Sequence, residues 1–481
     1  MIIKKEKNNP VLLPVPEDQT ISLKIWFRAG SQNDPQGKEG LAYITAQLLS
    51  RGASVYNSYE QILERLFPLA TGCQAVTSAE MTVYSGRVHY DNLNYYYPLF
   101  IEGLIRPAFL VSDLNRIKEE MLNYLNTTLK YANDEQLCKA ALQNYIFEGT
   151  SYGHITEGSI SSVKSITVED VVAFYTRYFN SSNYVIGLGG GYPKELLPQL
   201  IADLNALPEG RPFYPYDIRP NLFNGLNIKL IEKETDVTAI SLGYPINLLR
   251  GSREWYALAV ANSYFGEHRN SASHLYQIIR ESRGLSYGAY SYIEYFPEGE
   301  QRQLPPVNIA RTYQNFEVWV RPVPNDAAHF VLRTVVLELE KLAANGLTEE
   351  NFELARQFLK KYILHFAQDT ETRLGYAIDD QFYSIKGSHL EIFRNILDKL
   401  TLKEVNNAVK RHLQFKNMKV VMVTQGAREL RQRLIADEPS PIRYASLKDV
   451  QIYNEDRHIE NYPLNIEPEK VDVLNVNRLF E

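Results

Sequence analysis

The histidines and cysteines of this 481-residue chain lie too far apart for the commonest protein metal sites. Two histidines that bind one zinc ion from a helix stand on the same face, three to five positions apart. No two of the nine histidines have that spacing, and Cys73 and Cys138 do not form a C-x-x-C pair. The spacing therefore predicts no local zinc site and no disulfide framework, and we interpret both thiols as buried.

A weak internal repeat indicates which elements must position any functional residues. Thr20–Phe27 alternates as a half-buried strand does, and its Ile-Ser-Leu at 21–23 recurs at 240–242. Each copy continues with a polar loop, two helices, a glycine-marked strand, a further strand and two more helices. This order predicts an α+β protein built from two homologous α/β domains, each an antiparallel or mixed sheet with helices packed on it.

The composition of the linking segments sets the expected domain boundaries. We expect a first domain at 1–206, a proline-rich linker at 207–224, a second domain at 225–426 and a tail at 427–481. The tail is too apolar for a disordered segment, so we expect it to pack along the body.

Composition and charge exclude several classes of function. The chain is 44% hydrophobic and 22% charged, which is typical of a globular protein. A net charge of −6 gives no reason to expect nucleic acid or an anionic membrane as a partner. Met1–Lys7 shows no signal peptide, and no run approaches the ~18 apolar residues of a membrane span. We therefore expect a soluble protein, with the cytoplasm as the default compartment and export left open.

The start of the first repeat resembles the pitrilysin/insulinase family of zinc peptidases. The resemblance lies in Trp26-Phe-Arg-Ala-Gly-Ser-Gln-Asn-Asp-Pro and in Gly40-Leu-Ala-Tyr-Ile-Thr-Ala-Gln-Leu-Leu. In that family Gly-Leu-Ala is followed by H-x-x-E-H, whose histidines bind zinc and whose glutamate activates the zinc-bound water. The resemblance places Tyr43, Ala46 and Gln47 at these positions, and Tyr124 at the family's third ligand, a glutamate.

These four replacements leave no imidazole, thiolate or carboxylate at the expected zinc site. A neutral amide is a poor zinc ligand, and no group remains there to act as a general base. We therefore expect no metal or cofactor in this chain and no peptide hydrolysis by this chain alone. The zinc ion is expected in a partner.

The second repeat keeps a different signature of the family. Gln277-Ile-Ile-Arg-Glu-Ser-Arg-Gly-Leu-Ser-Tyr-Gly contains an arginine and a tyrosine seven positions apart, Arg280 and Tyr287. The resemblance implies that this pair reaches the scissile bond held at a first-domain zinc site and stabilises its oxyanion. The alternative is an arginine that caps a helix and a tyrosine that only packs.

A second candidate surface comes from the strand that follows the second helix of the first repeat. In the family the matching strand is an exposed edge that pairs with the substrate backbone. The residues at these positions are Cys73, Gln74, Ala75 and Val76. An ordinary sheet edge is the alternative.

The resemblance implies half of a clam shell, in which two such two-domain halves enclose a chamber. We expect a non-catalytic, peptide-binding subunit of a heterodimeric zinc peptidase, which binds unfolded peptide and completes the active site of a zinc-bearing partner. The alternatives are a structural or scaffold member of the family and a stand-alone peptide-binding homodimer.

Overall fold

The computed structural model describes residues 9–299 and 302–481 as two β-sheets with helices packed against them. The segment Met1–Lys7, on which the expectation about a signal peptide rests, lies outside the described residues. The mixed α/β architecture with two sheets confirms the predicted fold class.

The first sheet has five strands. They are β1 (Val11–Pro14), β2 (Thr20–Phe27), β3 (Cys73–Thr77), β4 (Thr82–His89) and β5 (Tyr184–Gly190). Their spatial order is β1-β5-β2-β4-β3. The β1–β5 pair is parallel and the other pairs are antiparallel, so the sheet is mixed and β3 is one of its edges.

Eight helices accompany the first sheet. They are α1 (Leu41–Arg51), α2 (Tyr59–Leu66), α3 (Leu93–Ile105), α4 (Val111–Asn123), α5 (Asp134–Ile146), α6 (Ile160–Ser165), α7 (Val168–Tyr178) and α8 (Leu196–Leu204). Helix α4 continues into a π-helical stretch at Tyr124–Ala132. Such wide turns are rare and often occur at functional sites.

The second sheet has six strands. They are β6 (Leu226–Glu232), β7 (Val237–Ile246), β8 (Ala289–Tyr292), β9 (Gln314–Pro324), β10 (Met418–Thr424) and β11 (Val471–Asn475). Their order is β11-β6-β10-β7-β9-β8, so the C-terminal strand forms one edge and β8 forms the other.

Nine further helices follow the start of the second sheet. They are α9 (Arg253–Gly266), α10 (His274–Tyr276), α11 (Ala328–Asn345), α12 (Glu349–Tyr362), α13 (Thr370–Phe382), α14 (His389–Leu397), α15 (Leu402–His412), α16 (Ala427–Ile435) and α17 (Val450–Ile459). A π-helical stretch at Gln277–Glu281 continues α10. Within the described part of the chain, no helix combines the length and apolar character needed to cross a membrane.

Strand β2 corrects one sequence expectation. Its alternation predicts a half-buried strand, but all of its residues after Thr20 are buried. The reason is that α13, from the second half of the chain, covers the other face of the sheet, where Trp26 packs with Ile378 and Phe382. Lys24 is buried there as well, and its Nζ donates to Asn308 Oδ1 at 2.9 Å.

The two halves also meet along helix α5. This helix belongs to the first half, yet it packs across β7 and β10 of the second sheet. The Cys138 thiol donates to the Val421 carbonyl at 3.1 Å, and burial raises its pKa to about 12. The seam between the halves is therefore a packed interior, and Cys138 is an inert structural thiol.

The residues after 426 return to the second half of the chain. Strand β11 pairs in parallel with β6. The buried guanidinium of Arg333 on α11 donates to the Glu438 carbonyl at 2.8 Å, to Ser440 Oγ at 2.9 Å and to Asp437 Oδ1 at 2.7 Å.

The edge hairpins of the two sheets differ greatly in the length of the loop that joins their strands. Residues 78–81 join β3 to β4, whereas residues 293–313 join β8 to β9. We call the described residues of this connection, 293–299 and 302–313, the roof loop. Loops longer than about 12–15 residues without regular structure are uncommon in compact domains and are usually functional or disordered.

Candidate functional site

Helix α1 presents two of the predicted zinc-site positions to a cavity of about 320 Å³. Tyr43 and Gln47 lie one helical turn apart and both line it, whereas Ala46 is completely buried beneath them. The Gln47 side-chain amide donates to the Ala75 carbonyl at 3.1 Å, so it ties α1 to strand β3. The Gln47 amide, at a position where the family has a zinc ligand, therefore already has a hydrogen-bond partner in the chain.

Tyr124, the first residue of the π-helical stretch, lines the same cavity as Tyr43 and Gln47. Burial raises the pKa of Tyr43 to about 12 and raises the pKa of Tyr124 further. Both phenols are therefore neutral at physiological pH, so neither offers an anionic oxygen to a cation.

Strand β3 pairs with β4 on one side and forms the edge of the first sheet. Gln74 and Val76 are exposed, Ala75 is buried, and Ala75 and Val76 line the cavity. Cys73 is half-buried, with its Sγ 3.8 Å from Tyr96 Oη, and burial raises the pKa of its thiol. The predicted edge strand thus lies beside the predicted zinc-site positions.

The other wall of the cavity comes from the second half of the chain. Tyr295, Glu298, Ile309 and Arg311 of the roof loop all line it. The end of this loop is anchored to the first half, because Thr312 N donates to the buried Glu80 Oε1 at 2.8 Å and Thr312 Oγ1 donates at 2.5 Å. The roof loop therefore forms part of the wall of the cavity that the predicted zinc-site positions Tyr43, Gln47 and Tyr124 also line.

The sequence analysis did not predict three components of the site, namely Glu80, Arg311 and the roof loop. A lone glutamate and a lone arginine carry no motif. One signal in the sequence could have indicated the roof loop. The two edge strands of the second repeat lie much farther apart along the chain than those of the first, which leaves room for a long loop only in the second repeat.

A buried ion pair lines the cavity. Lys139 Nζ on α5 lies 3.1 Å from Glu317 Oε1 on β9, and both side chains are at most 6% exposed. The ammonium group also lies 4.5 Å from the centre of the Tyr292 ring and 4.9 Å from that of Trp319. Elsewhere in the wall, burial raises the pKa of Glu157 to about 7.

Arg280 and Tyr287 lie elsewhere, beside the edge strand β8. Neither lines the cavity. Arg280 Nη1 donates to the Tyr287 carbonyl at 2.9 Å, and its guanidinium stacks 4.8 Å from the centre of the Tyr276 ring. The Tyr287 side chain is free of the core, with 72% of the residue exposed. The structure therefore brings the two residues together but separates them from Tyr43, Gln47 and Tyr124.

Two family models match consecutive parts of the chain. Residues 11–158 match "Insulinase (Peptidase family M16)", and residues 165–359 match "Peptidase M16 inactive domain". The chain belongs to the insulinase (M16) peptidase family. An uncharacterized zinc protease of Mycobacterium tuberculosis is 22% identical over 402 residues, which cover 83% of this chain and 87% of the relative.

A second M16 relative is named a non-peptidase homolog. It is YmxG of Helicobacter pylori, 22% identical over 416 residues, which cover 84% of this chain and 88% of the relative. An M16 inactive-domain structure from Pseudomonas fluorescens has a TM-score of 0.75 at 23% identity, covering 86% of this chain and 94% of that one. A protease structure from Helicobacter pylori has a TM-score of 0.69 at 15% identity, covering 86% and 96%. The two solved structures show the same fold, whereas the inactive-domain match and the non-peptidase homolog are what point to a non-catalytic member of the M16 family.

The side chains at the cavity do not fit the zinc ion of catalytic M16 peptidases. Zinc sites use imidazole, thiolate or carboxylate ligands, whereas the predicted zinc-site positions offer two neutral phenols, an alanine and a bonded amide. The other possible ligands that line the cavity come from other elements, and they are His154, Glu157, Glu298 and Glu317, the last already paired with Lys139. Among the described residues, no three histidine, cysteine, aspartate or glutamate side chains are arranged to hold a metal ion. No hydrolytic step through zinc follows for this chain.

Metal analysis of the purified chain is expected to find well below one zinc ion per chain, because the cavity lacks a ligand set. Inductively coupled plasma mass spectrometry checks this, with a zinc-bearing M16 subunit purified in the same way as the positive control. A content near one zinc per chain, retained after dialysis, would contradict the proposed loss of the site.

Proposed function

We propose that this chain is the non-catalytic, peptide-binding subunit of a heterodimeric zinc peptidase. It completes the active site of a zinc-bearing partner through Arg280 and Tyr287. The observation that carries the proposal is the position of this pair just before β8 and outside the chain's own cavity, with Tyr287 exposed and Arg280 partly exposed.

The backbone around the pair is held firmly, which suits a group that must meet another subunit. Arg283, between the two residues, is fully buried, and its Nε donates to Asp456 Oδ1 on α17 at 2.9 Å. The bond from Arg280 to the Tyr287 carbonyl closes the same turn. The Arg280 guanidinium is thereby fixed before the reaction, and a fixed donor stabilises developing charge without reorganisation, which is the requirement for an oxyanion site.

The donor chemistry of the pair also supports the proposal. A guanidinium and a phenol can both donate hydrogen bonds to a peptide carbonyl whose oxygen gains negative charge during attack. Neither residue lines the cavity of its own chain, so the pair does not face the predicted zinc-site positions of that chain. Its chemistry is useful only toward a site supplied by another subunit.

Strand β3 supports the peptide-binding part of the proposal. It is a sheet edge with exposed Gln74 and Val76, and an edge strand can add an extended peptide through main-chain hydrogen bonds. Such binding tolerates many sequences, as an unfolded substrate requires.

Light scattering after gel filtration tests the partnership. Mixing this chain with a zinc-bearing M16 subunit of its own organism is expected to give a 1:1 complex. A stable homodimer that excludes the zinc-bearing chain would favour the stand-alone peptide-binding alternative. Two unassociated chains at micromolar concentration would contradict the proposed heterodimer.

A further inference from the structure

The cavity beneath the roof loop contains a buried cation without an ion-pair partner. Arg311 is 2% exposed and lines the cavity wall. Among the described residues, no carboxylate oxygen lies within 4.0 Å of its guanidinium nitrogens. A buried charge is costly unless it is paired, so the missing counterion needs an explanation.

The neighbours of Arg311 satisfy only part of its guanidinium. Its Nε donates to Gln314 Oε1 at 3.1 Å, and its Nη2 donates to Asn315 Oδ1. No described residue accepts a hydrogen bond from Nη1. The rings of Phe147, Tyr152 and Tyr295 surround the guanidinium, with their centres 4.5 to 5.4 Å from it. Aromatic faces help to hold a cation in place, but they do not neutralise it.

Three carboxyl groups near the cavity already have partners, and burial raises the pKa of a fourth, Glu157, which favours its neutral form. Glu317 pairs with Lys139. Glu80 accepts hydrogen bonds at Oε1 from Tyr152 and Thr312, and burial raises the pKa of its carboxyl. Glu298, on the roof loop, lies 3.5 Å from Arg302. The cavity wall therefore keeps one buried, directional donor available to a guest.

We infer that this cavity binds a carboxylate group at Arg311. The guest is the C-terminus of a peptide or a small free organic acid, and the peptide case rests on the proposed peptide-binding function. The volume of about 320 Å³ is at the lower end of ligand pockets, enough for the end of a chain. Arg311 donates to the carboxylate, and the tyrosine rings enclose the residue that bears it.

Fluorescence anisotropy with the full chain tests this inference. The probe is a labelled, unstructured decapeptide of alanine, leucine and serine, prepared with a free C-terminal carboxylate and as the C-terminal amide. A charge-assisted bond to a buried guanidinium predicts that the acid binds about 10-fold more tightly than the amide. A third arm compares the melting temperature in sodium acetate and in sodium chloride of equal ionic strength.

The three arms separate the two possible guests from failure of either proposal. Preferential binding of the acid identifies a peptide terminus. If acetate raises the melting temperature but neither peptide binds, the guest is a small acid, and peptide binding is contradicted. Equal binding of acid and amide without an acetate effect overturns the carboxylate site but leaves peptide binding intact. If neither peptide binds and acetate does not raise the melting temperature, both proposals are overturned.

Variants then assign the preference to one residue. Arg311→Met is expected to abolish the difference between acid and amide, and Arg311→Lys to retain part of it. The matched control is Arg302→Met, which removes a cavity cation that already has a carboxylate partner, and it is expected to keep the difference. If Arg311→Met does not fold, the comparison of acid and amide with the unmodified chain still decides.

Discussion

Replacing Arg280 by alanine is expected to lower the kcat of the assembled heterodimer by about 10²–10³-fold. This is the usual cost of removing one preorganised donor to a developing oxyanion. KM is expected to change little, because the donor strengthens its bond only as charge develops in the transition state. Tyr287→Phe removes the other proposed donor and is expected to act on kcat in the same way.

The chain offers a matched control for this pair. Arg106 and Tyr56 are also exposed and in contact, since Arg106 Nη1 donates to Tyr56 Oη at 2.9 Å. Arg106→Ala and Tyr56→Phe should leave kcat unchanged. Steady-state kinetics on an internally quenched peptide measures all four variants. If Arg280→Ala and Tyr287→Phe behave like the control pair, neither residue acts at the partner's site.

Replacing Lys139 by methionine is expected to lower the free energy of unfolding by about 3–5 kcal/mol. The substitution leaves Glu317 buried at the seam between the two halves without its ion-pair partner. The ammonium group also loses its contacts with the Tyr292 and Trp319 rings. Urea unfolding followed by tryptophan fluorescence measures the change, and Trp319 reports from the site itself.

A double substitution separates the ion pair from general packing. Lys139→Met with Glu317→Leu removes both charges, so it is expected to recover most of the lost stability. A single variant that loses under ~1 kcal/mol would mean that water or a neighbouring group neutralises Glu317. That result would contradict a dry seam between the two halves.

The sequence predicts the parts of the fold that local pattern controls. The sequence at Leu93–Ile105 predicts a helix, and α3 occupies those residues. The repeated order of strands and helices similarly predicts two α/β units, and the structure has two sheets. These features follow from periodicity and glycine positions, which are set within a few residues of each other.

Long-range packing explains what the sequence did not predict. Burial of both faces of β2 depends on α13, which lies over 300 residues later in the chain. Part of the wall of the cavity at Tyr43, Gln47 and Tyr124 comes from the roof loop, which is anchored by the hydrogen bond from Thr312 N to Glu80. None of these contacts leaves a periodic signal, because each joins one residue to a distant partner.

The site residues also divide into those that the sequence predicts and those that it does not. The family resemblance selects Tyr43, Gln47 and Tyr124, and the structure gathers them at one cavity. It also selects Arg280 and Tyr287, which the structure joins by a hydrogen bond. Arg311 could not be selected from sequence, because its distinguishing property is burial without a counterion.

Peptide cleavage by the 1:1 mixture tests the proposed division of labour most directly. An internally quenched peptide is incubated with this chain alone, with the zinc-bearing M16 subunit alone, and with both together. We expect cleavage by the mixture, a rate at least about 10²-fold lower for the zinc-bearing subunit alone, and none by this chain. Metal-dependent cleavage by this chain alone, or an equal rate with and without it, would contradict a non-catalytic subunit that completes its partner's active site.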